Sequence, residues 1–234
     1  IINIIINIFI IISFYIMIAG FGAYFEEQFS INKIIGSIVL AIICYLTLRK
    51  STDGVIKLSQ ILVPILILFI AIIGILNILN IDFSNITNYT IENNRANWLI
   101  SAVLYSSYNS ILLIPVLITL NNAIEKEKNI KYIAIITTLI ITILSILLYF
   151  ILAKVDVNIN NLEMPAVYVI SKMYPYLKII YGIILLASIL TTAISLGNSI
   201  LQNMQINKNT TNIILCTTAI LVSNFGFSNL VNVL

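Results

Sequence analysis

Seven charge-free stretches constrain this chain more than any single motif. They cover residues 1–25, 34–48, 58–81, 96–124, 132–153, 179–207 and 209–234. About 20 apolar residues carry a helix across a bilayer, so all but 34–48 are long enough outright. Ile31 and a snorkelling Lys33 lengthen that one. Apolar residues fill 60% of the 234 positions, charged residues 9%, and mean hydropathy is +1.08. A soluble domain is about a quarter charged. The sequence predicts an all-α polytopic membrane protein, one transmembrane domain over 1–234. Its helices are expected at about 1–25, 31–48, 55–80, 97–120, 130–153, 176–204 and 210–224.

The same inventory narrows function. A net charge of +3 gives no electrostatic footprint for a nucleic acid. Cys44 and Cys216 lie in apolar stretches, with no CxxC and no His in the chain. They read as small buried hydrophobes, and no metal and no cofactor is expected. No Asp, Glu, Lys or Arg falls deep in a span. That disfavours a proton relay, and intramembrane hydrolysis lacks its acid or base, so no enzyme is expected. The apolar residues at Ile1 and Leu234, without a basic leader, read as a segment of a longer protein.

Charge also sets orientation. Arg49, Lys50, Lys57, Lys126, Lys128 and Lys131 cluster in short loops on one side, with Lys208. The positive-inside rule places 49–57 and 121–131 in the cytoplasm. The longer loops 82–96 and 154–178 then lie outside. In the second of these, Pro165 suits the first turn of a helix and Glu163 complements its positive end. A short outer helix over about 165–173 is expected, serving either as a shield for the bundle or as a lid over a vestibule.

The fourth stretch carries an unusual run, Tyr105-Ser106-Ser107-Tyr108-Asn109-Ser110. It lies roughly 10 to 18 Å below Trp98 at the helical rise, near the midplane. Consecutive polar residues point all the way round a helix. Hydrocarbon tolerates that where the run lines a wet cavity or the helix is broken. A break between Tyr105 and Ser110 is expected, with Pro115 restarting the helix. Broken helices at the midplane hold substrates and ions in secondary transporters.

Other features carry two readings each. Ala19 and Ala23 are four apart, a spacing for close helix packing. Gly20 and Gly22 beside them serve that packing or a cavity wall, and Tyr15 lies one turn deeper. Glu26 and Glu27 read as solvated interfacial carboxylates, the other reading being a proton relay. Pro64, within the third span, reads as a packing kink. Ser188, Thr192, Ser195 and Ser199 form one hydroxyl stripe with Thr191 beside it, either for interhelical hydrogen bonds or as neutral ligands. Asn77, near a helix end, is the neutral comparison for Asn109.

Ser13-Phe-Tyr-Ile-Met-Ile-Ala-Gly-Phe-Gly-Ala-Tyr-Phe-Glu-Glu-Gln-Phe29 resembles the third span of the YkvI-type bacterial membrane proteins. Asn97-Trp-Leu-Ile-Ser-Ala-Val-Leu-Tyr-Ser-Ser-Tyr-Asn109 resembles their sixth. Met164-Pro165 and Ser188-Ile-Leu-Thr-Thr-Ala193 fit the region of their eighth. The resemblance implies the amino acid–polyamine–organocation superfamily and a partial LeuT-like inverted-repeat bundle, with this chain supplying spans 3 to 9. It implies an unwound centre over Tyr105 to Asn109. It implies a sodium site with hydroxyls from Thr191, Thr192 and Ser188, sodium being the implied coupling ion. The first span, which supplies the other half of both sites, lies outside this chain.

The reading that joins these features is a secondary transporter of a small solute, an amino acid or related compound, working by alternating access in the bacterial cytoplasmic membrane. Its expected solute site is Tyr15, Gly20, Tyr105, Ser106, Ser107 and Asn109. The alternative is a ligand-sensing, permease-like subunit of the spore germinant receptor type. The expected partners are the lipid bilayer and the solute, with no nucleic acid.

Overall fold

The structure, a computed structural model, describes residues 2–50, 53–79, 98–120, 127–153, 162–204 and 207–233. Among them all regular structure is helical. The α-helices are α1 (Ile2–Phe29), α2 (Lys33–Leu48), α3 (Asp53–Leu79), α4 (Trp98–Leu120), α5 (Glu127–Ala153), α6 (Pro165–Met173), α7 (Lys178–Asn203), α8 (Lys208–Ser223) and α9 (Phe227–Val233). A 3₁₀ turn, Pro175–Leu177, precedes α7. Residues 82–96 and 121–126, for which a loop and a cytoplasmic segment are expected, and most of the stretch before α6 lie outside the described residues.

Among the described residues four helices are long and apolar enough to cross a membrane: Asn3–Phe29, Gln60–Leu79, Asn129–Leu152 and Pro175–Asn203. α2 and α8 have 16 residues each. That is about 24 Å, short of a hydrocarbon core of roughly 30 Å. α4 runs for 23 residues. The chain is an all-α, multi-pass membrane protein.

Helix ends follow from local chemistry. Asn32 caps α2 by accepting from the Ile34 N–H at 2.9 Å, and Asn207 caps α8 by accepting from Asn209 at 3.1 Å. Pro165 starts α6 at its first turn. α1 ends in an αL cap: the Ser30 N–H donates to the Glu26 carbonyl at 3.0 Å, with Ser30 at φ 55. Glycine is usual at such a left-handed position.

The helices form two compact units. The first comprises residues 1–66 and 158–234, the second 67–157. In the first unit α1 is the central helix, packed against α2, α7, α8 and α9. It is apolar on every side, as a helix surrounded by others must be. Ile10, Phe14, Ile18 and Ala23 are buried from these different directions. α1 crosses α2 where Gly22 lies against the Lys33 carbonyl and the Ser37 hydroxyl, and Gly36 lies against Gly22. Ser37 Oγ donates to the Ile18 carbonyl at 3.2 Å across the crossing. α2 and α8 are joined by buried Asn212, whose Nδ2 donates to the Tyr45 carbonyl at 3.0 Å. Cys44 and Cys216 are both buried thiols in this unit.

In the second unit Gly74 of α3 meets Leu147 of α5. Asn77 is fully buried, and its Nδ2 donates to the Phe150 carbonyl at 3.1 Å. It is therefore not the neutral helix-end residue expected from its position, and it cannot serve as a control for Asn109.

The expected break in α4 is absent. The helix continues from Trp98 to Leu120, through position 115. Its polar side chains find acceptors on their own helix. Ser107 Oγ donates to the Val103 carbonyl, Asn109 Nδ2 to Tyr105 and Ser110 Oγ to Ser106, each at 2.8 Å. Short polar side chains bond back one turn in this way, so the run needs no broken backbone. α3 likewise continues through Pro64.

Candidate functional site

A cavity of about 270 Å³ lies within the first unit. α1 supplies Ile16, Met17 and Gly20, and α7 supplies Tyr181, Leu185 and Ile189. The segment Glu163 to Val167, which leads into α6, covers it together with Phe227 of α9. The walls are mostly apolar, with the Glu163 carboxyl and the Tyr181 phenol among them.

Gly20 makes room for the cover. A Cβ at that position would meet the Phe227 ring at 3.1 Å and Met164 Cε at 3.5 Å. Of the expected solute residues, Gly20 alone walls this cavity. Tyr15 does not: on a helix with 100° between residues, it points roughly 150° from the arc of Ile16, Met17 and Gly20. Its hydroxyl instead pairs with Thr218 Oγ1 of α8 at 2.8 Å. Tyr15→Phe is expected to cost about 0.6 kcal/mol, the average of such bonds in membranes, and to leave solute affinity unchanged. Thermal unfolding in detergent beside a binding titration measures both. Weakened solute binding at unchanged stability would return Tyr15 to the site.

Tyr105, Ser106, Ser107 and Asn109 belong to the second unit. They are exposed there, Tyr105 by 70%. On α7 the hydroxyls bond back to their own helix rather than across to a neighbour. Ser188 Oγ donates to the Ile184 carbonyl and Thr192 Oγ1 to the Ser188 carbonyl, both at 2.8 Å. Thr191 Oγ1 also reaches the Ser188 carbonyl, at 3.0 Å. Thr191 is buried and Thr192 exposed, so the pair does not share a face. Among the described residues no group of three or more His, Cys, Asp or Glu is placed to hold a metal.

Of the two carboxylates expected to be solvated surface groups, one differs. Glu26 is exposed. Glu27 turns inward, and its Oε1 accepts from the backbone N–H of Glu163 at 2.6 Å and of Met164 at 3.1 Å. Its Oε2 is buried without a hydrogen-bond partner. Glu163 Oε2 in turn accepts from the Phe227 N–H at 2.8 Å. Tyr181, Met164 and Phe227 were not legible as site residues, because aromatic and apolar side chains give no contrast in a chain this apolar. Pro165 was the one usable signal, marking the helix that roofs the cavity.

The chain is similar to the uncharacterized membrane protein YkvI of Bacillus subtilis (strain 168), with 26% identity over 221 residues. The match covers 93% of this chain and 63% of that protein, so the chain spans less than two thirds of its relative. No family model matches the chain. No solved structure matches it.

Proposed function

We propose that this chain forms part of a secondary transporter for a small solute, working by alternating access on a LeuT-like inverted-repeat scaffold. The observation that carries the reading is the cavity of about 270 Å³ between α1 and α7. Pockets for drug-sized ligands span roughly 300 to 1,000 Å³, so a smaller solute fits. Walls of Ile16, Met17, Leu185 and Ile189 favour a largely apolar body, as in an amino acid with an aliphatic side chain. The two methionines, Met17 and Met164, suit an adaptable site. Sodium is the proposed coupling ion, on the hydroxyls of Ser188, Thr191 and Thr192. Similarity to a membrane protein along most of the chain is compatible with this role, and the absence of deep charges favours a neutral or zwitterionic cargo over proton relay.

The test is uptake of labelled aliphatic amino acids by liposomes carrying the whole transporter of which this chain forms part, with and without a sodium gradient; the chain by itself, with half of each site, is not expected to accumulate solute. Saturable, gradient-dependent accumulation is expected. Binding without accumulation would favour the sensing subunit, and uptake that never saturates would mean a channel.

A further inference from the structure

We propose that Glu27 and Glu163 are successive positioning residues of a latch that holds the cavity roof closed. This deepens the reading of the cavity as a solute site and rests on it for its biological meaning. Its geometry is independent of what the cavity binds.

The roof has two side chains, Met164 and Phe227, which meet over Gly20. Each belongs to a residue whose backbone N–H is held by a carboxylate. Glu27, at the end of α1, accepts from Met164 and from Glu163 itself. Glu163, so fixed, accepts from Phe227. The chain of contacts runs from α1 to the turn before α6 and on to the start of α9. Hydrogen bonds to an ionised acceptor are about twice as strong as neutral ones. The second oxygen of Glu27 is buried without a partner, so the two backbone donors are what hold this carboxylate inward.

Gly226 completes the joint. Its φ of 87 turns the chain between α8 and α9, and a Cβ there would lie 3.0 Å from Glu163 Oε1. Lys33 Nζ lies 3.7 Å from the same point, so the first residue of α2 brings a positive charge to the latch. α1, α2, α6 and α9 therefore meet at one small polar joint, and the cavity lies directly beneath it. Releasing either carboxylate frees a roof side chain while leaving the α1–α7 wall intact.

The experiment measures access to the cavity without any solute. The purified protein in nanodiscs carries Met17→Cys, a cavity-wall thiol. Labelling by a small methanethiosulfonate is followed by mass spectrometry of each cysteine. Cys44 and Cys216, both buried, report folding by staying unlabelled. Glu27→Ala and Glu163→Ala are expected to speed labelling at position 17 at least tenfold. Glu27→Gln keeps a neutral acceptor and should speed it about two- to fivefold, and Glu26→Ala should leave it unchanged. Where an Ala variant also labels Cys44, it has unfolded, and Glu27→Gln decides. Labelling within twofold of the parent in the folded Glu27 variants would overturn the latch. Faster labelling with no solute uptake by the whole transporter would support the latch and refute the transporter reading. Unchanged labelling with intact uptake would refute the latch alone.

Discussion

Gly22→Ala is expected to lower the stability of the first unit by about 2 to 3 kcal/mol, the upper range for overpacking a close-packed interior. The added methyl would land on the Lys33 carbonyl and within 2.5 Å of Ser37 Oγ. A side chain can rotate away from such a contact, but the carbonyl belongs to the first turn of α2. Relief requires α2 to move off α1. That movement also lengthens the Ser37 bond to the Ile18 carbonyl, now 3.2 Å. Gly20→Ala, two residues away, is the informative comparison. Its methyl meets a phenyl ring at 3.1 Å and the end of a methionine at 3.5 Å. Both can shift, so a loss below about 1 kcal/mol is expected there. Thermal unfolding of both variants in the same detergent decides the matter. Equal stability of Gly22→Ala and the parent would mean that α1 and α2 do not cross at these glycines.

That contrast shows what the sequence could and could not convey. Small residues near position 20 announced a close helix approach, but not which glycine faces a helix and which a cavity. The distinction depends on where α2 and α9 pack, and those contacts join residues far apart in the chain. Helix positions were legible because charged residues are scarce and mark the boundaries, as Lys33, Arg49 and Lys208 do. The short helix α6 was legible because Pro165 fixes a first turn. The polar run of α4 misled for a physical reason. Counting polar residues treats each as a demand on the surroundings, whereas Ser107, Asn109 and Ser110 satisfy their donors one turn back. Glu27 misled in the opposite sense: an interfacial carboxylate found its donors in a backbone segment more than 130 residues along the chain. Local reading prices a side chain against water and lipid, and cannot see a partner that folding supplies.

Leu185→Trp is expected to reduce saturable uptake at least tenfold while leaving the protein folded. Leu185 lines the cavity from α7 and is half-buried there. An indole at this position projects into the open volume instead of into packed core, so the usual overpacking penalty of about 1 to 3 kcal/mol is largely avoided. The same volume is then closed to a solute. Ile183→Trp, on the exposed side of α7, adds an equal bulk away from the cavity and should leave uptake within twofold. The pair separates a blocked site from a general disturbance of α7. Uptake and thermal stability are measured on both variants in liposomes. If Leu185→Trp transports as the parent does, the cavity between α1 and α7 is not on the solute path. The search for that path would then move to the hydroxyl face of Ser188 and Thr192, one and two turns deeper on the same helix.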